Sequence, residues 1–128
     1  MISIITPAHN EELFIKKCLC SVKTAAKEVS EEVEHIVVLN CCIDKTGKIA
    51  SELGAKVITE DARNMSRIRN KGVAASKGDI LITIDADSEM TSNMLSEVLE
   101  KLHSGKYVGG GTKILPERIS MGILCSLL

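Results

Sequence analysis

Residues 79–87 read DILITIDAD, a short aliphatic run that ends in two carboxylates. Asp79–Ile84 is apolar on both alternating faces, the pattern of a central strand in a parallel sheet with helices above and below it. It gives way to Asp85-Ala86-Asp87-Ser88-Glu89, a polar turn. Upstream, Asn64 or Ser66 opens an amphipathic helix that Gly78 ends. Before that helix Ala55–Thr59 reads as a strand. It follows a short helix capped by Asp44, with Ile49, Ala50 and Leu53 facing inward and Gly54 closing it. His35–Leu39 is a further strand. The first strand, Ile2–Thr6, is stopped by Pro7 and leads to a helix from Glu11 with Asn10 as N-cap. In that helix Ile15, Cys18, Leu19, Val22 and Ala26 recur at helical spacing. Downstream, Thr91 caps a helix with Met94, Leu95, Val98, Leu99 and Leu102 on one face, and Gly105 terminates it. Tyr107–Ile114 reads as a fifth strand weakened by glycines. Strands that alternate with helices predict βαβ units. The fold class is therefore α/β, Rossmann-like, a mostly parallel sheet with helices on both faces. The 128 residues make one domain, with no internal repeat and no linker composition.

Composition narrows the function. Sixteen Lys and Arg stand against seventeen Asp and Glu, a net charge of −1, so charge gives no reason to expect nucleic acid as a partner. Phe14 and Tyr107 are the only aromatic residues, which removes a base-stacking platform. The five cysteines lack zinc-like spacing and read as reduced thiols in a cytoplasmic protein. No segment approaches the roughly 20 apolar residues of a membrane span, so the chain is expected to be soluble or, at most, peripheral to a membrane.

Ligands of such sheets bind beyond the carboxyl ends of the strands. Pro7-Ala8-His9-Asn10-Glu11-Glu12, Asn40-Cys41-Cys42-Ile43-Asp44 and Asp85-Ala86-Asp87 all fall at that edge. Asp85 and Asp87 suit Mg²⁺ or Mn²⁺, hard cations that take one or two carboxylates plus substrate phosphates. The alternative is a capped turn with one solvated carboxylate. Glu11 and Glu12 also fit the dipole of the helix they open. Arg63, Arg67, Arg69 and Lys71 either bring positive charge to a diphosphate or form a solvated face. Gly109-Gly110-Gly111-Thr112-Lys113 matches neither dinucleotide nor P-loop spacing. The histidines have no partnered nucleophile at a hydrolase spacing.

Three segments carry a resemblance. SIITPAHNEELFIKKCLCSV (3–22) resembles the opening of family 2 glycosyltransferases, a strand running into a P-A-x-N-E-E turn. HIVVLNCCIDKTGKIA (35–50) is similar to their second strand and S-T-D-x-T-like turn. RIRNKGVAASKGDILITIDADSEM (67–90) is similar to their A-R-N-x-G segment leading to a D-A-D. The resemblance runs from Ile2 to about Pro116 and implies the nucleotide-sugar half of a GT-A domain. It implies that Pro7, His9 and Glu11 line the base and ribose side, with His9 where the family often has Tyr. Asp85 would face the ribose and metal, and Asp87 would hold the divalent ion on the diphosphate. Arg69 and Asn70 match the A-R-N element, in which Ile68 replaces Ala. Asn40 joins the donor-binding set, although Leu39 and Asn40 stand where the family commonly has acidic residues.

The resemblance implies transfer of a sugar from a nucleoside-diphosphate sugar to an acceptor hydroxyl, with Mn²⁺ or Mg²⁺ neutralising the leaving diphosphate. The family's acceptor half and catalytic base have no matching segment here. The expectation is thus a donor-binding portion, with an inactive binding or assembly module as the alternative. A sugar nucleotidyltransferase would carry G-G-x-G-x-R after the first strand, where PAHNEE stands. The partners expected are the donor and a peripheral-membrane or acceptor-associated component. A second copy is also expected, paired through the apolar tail Ile119–Leu128.

Overall fold

The computed structural model describes residues 1–111. Four strands, β1 (Ile2–Ala8), β2 (Val33–Leu39), β3 (Lys56–Thr59) and β4 (Ile80–Thr83), alternate with four helices. These are α1 (Ile15–Ala26), α2 (Thr46–Glu52), α3 (Met65–Ala75) and α4 (Met94–His103). The strands form one sheet in the order β3-β2-β1-β4, parallel throughout, with Ile2 opposite both Val33 and Ile80.

The alternation of side chains along each strand sorts the layers. Ile2 and Ile4 of β1 pack with Val22 and Ala25 of α1 and with Leu95 and Leu99 of α4. Ala8 and Val37 pack with Ile15, Leu19 and Ala50, which brings α2 to the same face. Ile5, Ile36 and Val38 point the other way, onto Ile68 of α3. Ile2, Ile4 and Ile5 are wholly buried, and burying such a side chain contributes about 1.5–3 kcal/mol. The α/β architecture with helices on both faces of a parallel sheet is the one that the alternating pattern predicts.

Local details differ from the sequence expectation. β1 runs through Pro7 to Ala8 rather than stopping at Thr6. Ile5 offers its carbonyl to the Ile84 N–H on the β4 side, so Pro7, two residues on, faces the same side. The β4 register has ended at Thr83 there, so the missing proline N–H costs no ladder bond. Asn10 is not the N-cap of α1. It sits in the left-handed region at φ 50°, which Asn tolerates, and the helix begins later, behind Phe14. Asn64 does cap α3, accepting from the Arg67 N–H at 3.2 Å. Asp44 accepts from the Thr46 N–H at the start of α2, one residue ahead of the cap position itself. Thr91 contributes only its carbonyl to the first turn of α4, whose cap position is Asn93.

α3 ends at Ala75, before Gly78. Gly78 instead permits a close approach to β1, since a Cβ there would lie 2.8 Å from the Met1 carbonyl oxygen and 2.8 Å from the Ser3 nitrogen. β4 is an edge strand among the described residues, with Leu81 45% exposed, rather than a strand covered on both faces. The reason is that α3 covers β1 and β2 and leaves the outer side of β4 open. Residues 107–111 form no strand, and the remainder of Tyr107–Ile114 and the tail Ile119–Leu128 lie outside the described residues.

Candidate functional site

The three strand ends converge. Pro7, His9, Glu11, Asn40, Arg69, Asp85 and Asp87 line one cavity of about 320 Å³, within the range of small-ligand sites. Asn70 is exposed on α3 and does not line it. Residues more than sixty positions apart thus share one wall-to-wall space, because β1 is the common neighbour of β2 and β4.

The D-A-D turn owes its form to its middle residue. Ala86 is buried against Ala8, Ile15 and Leu19, while Asp85 and Asp87 on either side remain exposed. A small apolar residue thus anchors the turn and its neighbours face the cavity. The Cys18 thiol donates to the Asp85 carbonyl across 3.6 Å. Burial pushes that thiol up to about 11, so it stays protonated as a donor.

From the opposite wall, Arg69 approaches Asp85 at 3.9 Å, with both side chains substantially exposed. Glu11 has its carboxyl above the usual range, first through burial and then through the charges of Asp87 and Asp44. Asp85 adds to the same effect, so the cavity gathers the carboxyl groups of Glu11, Asp85 and Asp87 from the ends of two strands.

The end of β2 is a clamp. Asn40 is 9% exposed, and its Nδ2 donates to the carbonyls of Glu60 at 2.6 Å and Ala62 at 2.9 Å. These bonds tie the connection before α3 to the edge of the sheet. His9 donates from Nδ1 to the Asn40 carbonyl at 2.7 Å, which leaves Nε2 free. Asn40 therefore meets the cavity with its amide hydrogens already engaged. Cys41, at φ 49°, turns the chain away and takes a carboxylate oxygen of Asp61 on its N–H at 3.2 Å.

Met65 and Ile68 also line the cavity without having been assigned to it from sequence, and so do Ala8 and Ala86 of the two strand-end turns expected at that edge. Met65, Ile68 and Arg69 share the i, i+3, i+4 spacing of one helix face, which is the signal that could have found the first two.

A family model described as glycosyl transferase family 2 matches residues 3–118. The chain is 33% identical over 125 residues to 4,4'-diaponeurosporenoate glycosyltransferase of Staphylococcus haemolyticus, covering 92% of this chain and 32% of that protein. It is 31% identical over 104 residues to the low-salt glycan biosynthesis hexosyltransferase Agl6 of Haloferax volcanii, covering 81% of this chain and 25% of that one. Glucosyl-3-phosphoglycerate synthase of Mycobacterium tuberculosis, solved with Mn²⁺, UDP and glucosyl-3-phosphoglycerate, superposes with a TM-score of 0.67 at 26% identity, over 83% of this chain and 40% of that one. The mannosyltransferase PcManGT of Pyrobaculum calidifontis, solved with GDP-Man and Mn²⁺, reaches a TM-score of 0.72 at 19% identity, over 79% and 32% of the two chains, and shows the fold alone. The chain spans only 24–32% of the length of the first curated relatives it matches. With the family model matched over nearly the whole sequence, the chain belongs to glycosyl transferase family 2.

Proposed function

We propose that these residues form the donor-binding portion of a glycosyltransferase that moves a sugar from a nucleoside-diphosphate sugar to an acceptor hydroxyl. The observation that carries this reading is the D-A-D turn, with Asp85 and Asp87 exposed at the rim of a cavity whose other walls are Pro7, His9, Glu11, Asn40 and Arg69. Asp85 and Asp87 would hold Mn²⁺ or Mg²⁺. Both offer hard oxygen donors, and the nearby Glu11 carboxyl deepens the negative field.

Among the described residues no group of three His, Cys, Asp or Glu side chains is placed to cage a metal. That accords with an ion whose remaining positions are filled by diphosphate oxygens and water. When bound, the ion neutralises charge on the departing nucleoside diphosphate. Arg69 would add positive charge and hydrogen bonds on the far side, whereas Asn70, outside the cavity, takes no part in this arrangement. Pro7 and His9 would form the nucleoside end, with Nε2 of His9 as a polar contact, and Asn40, its amide hydrogens engaged by Glu60 and Ala62, would brace that wall. The base is left unassigned, since Leu39 and Asn40 replace the acidic residues expected there. The four cysteines among the described residues are free, which suits a cytoplasmic setting that belongs to the same proposal.

The expected activity of the 128 residues alone is negligible turnover, because no general base is assigned in them and the donor lies open to water. Calorimetry with UDP and with GDP tests the binding reading. One of the two should bind in Mn²⁺, and binding should fall at least about tenfold in EDTA or in Asp87→Ala. Binding that is metal-independent, or unchanged in Asp87→Ala, rules the assignment out.

A further inference from the structure

The connection after β1 and the connection after β2 are locked together beside the cavity. Backbone N–H groups of Glu11 and Glu12 donate to Thr46 Oγ1 at 2.8 Å and Asp44 Oδ2 at 3.1 Å. In return, those of Ile43 and Lys45 donate to Asn10 Oδ1 at 2.8 Å and Glu12 Oε2 at 3.1 Å. The Asn10 N–H completes the set by donating to Cys42 Sγ at 3.4 Å. The ledge held in this way leaves apolar side chains in solvent. It presents Leu13 at 80% exposure, Phe14 at 47% and Ile43 at 93%.

Charge around this ledge is segregated. Between Ile15 and Lys27 the charged residues are Lys16, Lys17, Lys23 and Lys27, all exposed, with no Asp or Glu among them. Lys45 and Lys48 extend the basic surface at α2, which packs beside α1. The acidic groups of the ledge itself, exposed Glu12 and half-buried Asp44, are engaged in the backbone bonds just named. Among the described residues the ion pairs are Met1 with Asp79 and Arg69 with Asp85, and none of these lysines belongs to one. The chain as a whole carries −1, so the basic surface is a local feature.

We propose that this ledge docks on an anionic lipid surface, with Leu13, Phe14 and Ile43 entering the headgroup region and Lys16, Lys17, Lys45 and Lys48 holding the anionic headgroups. Apolar tips rimmed by lysines complement a negatively charged interface. Three protruding side chains fall well short of the roughly 800 Å² per partner of a stable protein interface, whereas a fluid bilayer needs no matching shape. His9 and Glu11 belong to the same connection as Leu13, so docking holds the cavity mouth close to the lipid surface. Lipid docking does not require that the cavity bind a nucleotide.

Co-sedimentation with vesicles tests this. One set is phosphatidylcholine alone, and the other holds about 30 mol% phosphatidylserine. The chain should bind the anionic vesicles at least about tenfold more tightly at low salt, and lose most of that preference at about 0.5 M salt. Lys16→Gln with Lys17→Gln should cost at least about tenfold, as each lysine near such a surface is worth about fivefold. Leu13→Ser with Ile43→Ser should cost a similar factor while thermal melts stay unchanged, because both side chains are exposed. No binding at low salt, equal binding to both vesicles, or binding indifferent to either pair of substitutions overturns the proposal. The ledge would then fall to an acidic protein partner.

Discussion

Arg69 meets Asp85 at 3.9 Å across the cavity, joining α3 to the turn after β4. Both side chains are about half exposed or more, so the pair contributes at most about 1 kcal/mol to stability. On the proposed function, a cation held by Asp85 and Asp87 would compete with the guanidinium for the Asp85 carboxylate and leave Arg69 available to a diphosphate. Arg69→Gln should leave the urea midpoint within about 0.5 kcal/mol of the parent and weaken nucleoside-diphosphate binding about tenfold or more. A variant that loses stability but not affinity would show the pair to be structural.

Asn40 is placed to act through the chain rather than on the ligand. Asn40→Ala removes both bonds to the Glu60 and Ala62 carbonyls and should cost about 1–3 kcal/mol in urea denaturation. Nucleotide affinity should fall with it, as the start of α3 loosens. A loss of affinity with stability intact would instead assign Asn40 a direct contact.

Gly72 lets α3 lie close on the sheet. A Cβ there would come within 2.5 Å of Ile5 Cγ2 and 3.2 Å of Val38 Cγ2, and both side chains are fully buried and β-branched. Gly72→Ala gains up to about 1 kcal/mol of helix propensity, but overpacking of this kind costs about 1–3 kcal/mol. Net destabilisation of about 1–2 kcal/mol should appear as a lower urea midpoint.

His35 shares a hydrogen bond with Thr6, Nε2 to Oγ1 at 2.7 Å, beneath α1. Burial pushes its pKa down to about 4 from 6.5, so the folded state holds the ring neutral while the unfolded chain protonates it. The unfolded state thus binds more protons between those values, and stability must rise with pH through that window. The contribution is complete above the unfolded pKa and lost as pH falls toward about 4, on the order of 3 kcal/mol in all. His35→Gln should flatten the stability profile between about pH 7 and about pH 4 relative to the parent. Parallel profiles would show that the ring binds its proton equally well in the folded and the unfolded chain.

Much of this architecture was legible because each element states its own period. Ile15, Cys18, Leu19 and Val22 mark a buried helix face, and Gly54 at φ 87° closes α2 where a C-terminal glycine belongs. The errors arose where the answer depends on neighbours. DILIT is as apolar as a central strand, yet which strand sits at the edge follows from the order β3-β2-β1-β4, a property of no single segment. Asn10 looks like a cap but spends its side chain on Ile43 and its backbone on a left-handed turn. For the site, Asp85 and Asp87 were visible because a D-x-D after an apolar strand is a local pattern. Met65 was not, because its place in the cavity depends on where α3 lands on β1 and β2.

The position of β1 between β2 and β4 sets a timetable for synthesis. Of the four strands the most thoroughly buried is made before the others, and Ile2 cannot meet Ile80 until nearly eighty further residues have been made. At about 5–20 residues per second, that is an interval of roughly 4–16 s during which an aliphatic segment waits without its second neighbour. The Val33 side of the pairing becomes available sooner, but a two-stranded fragment without α3 leaves the face of Ile5, Ile36 and Val38 wet. The nascent chain therefore passes through a stage in which its future centre is its most adhesive part, a stage that ends only as the segment bearing Asp85 and Asp87 emerges.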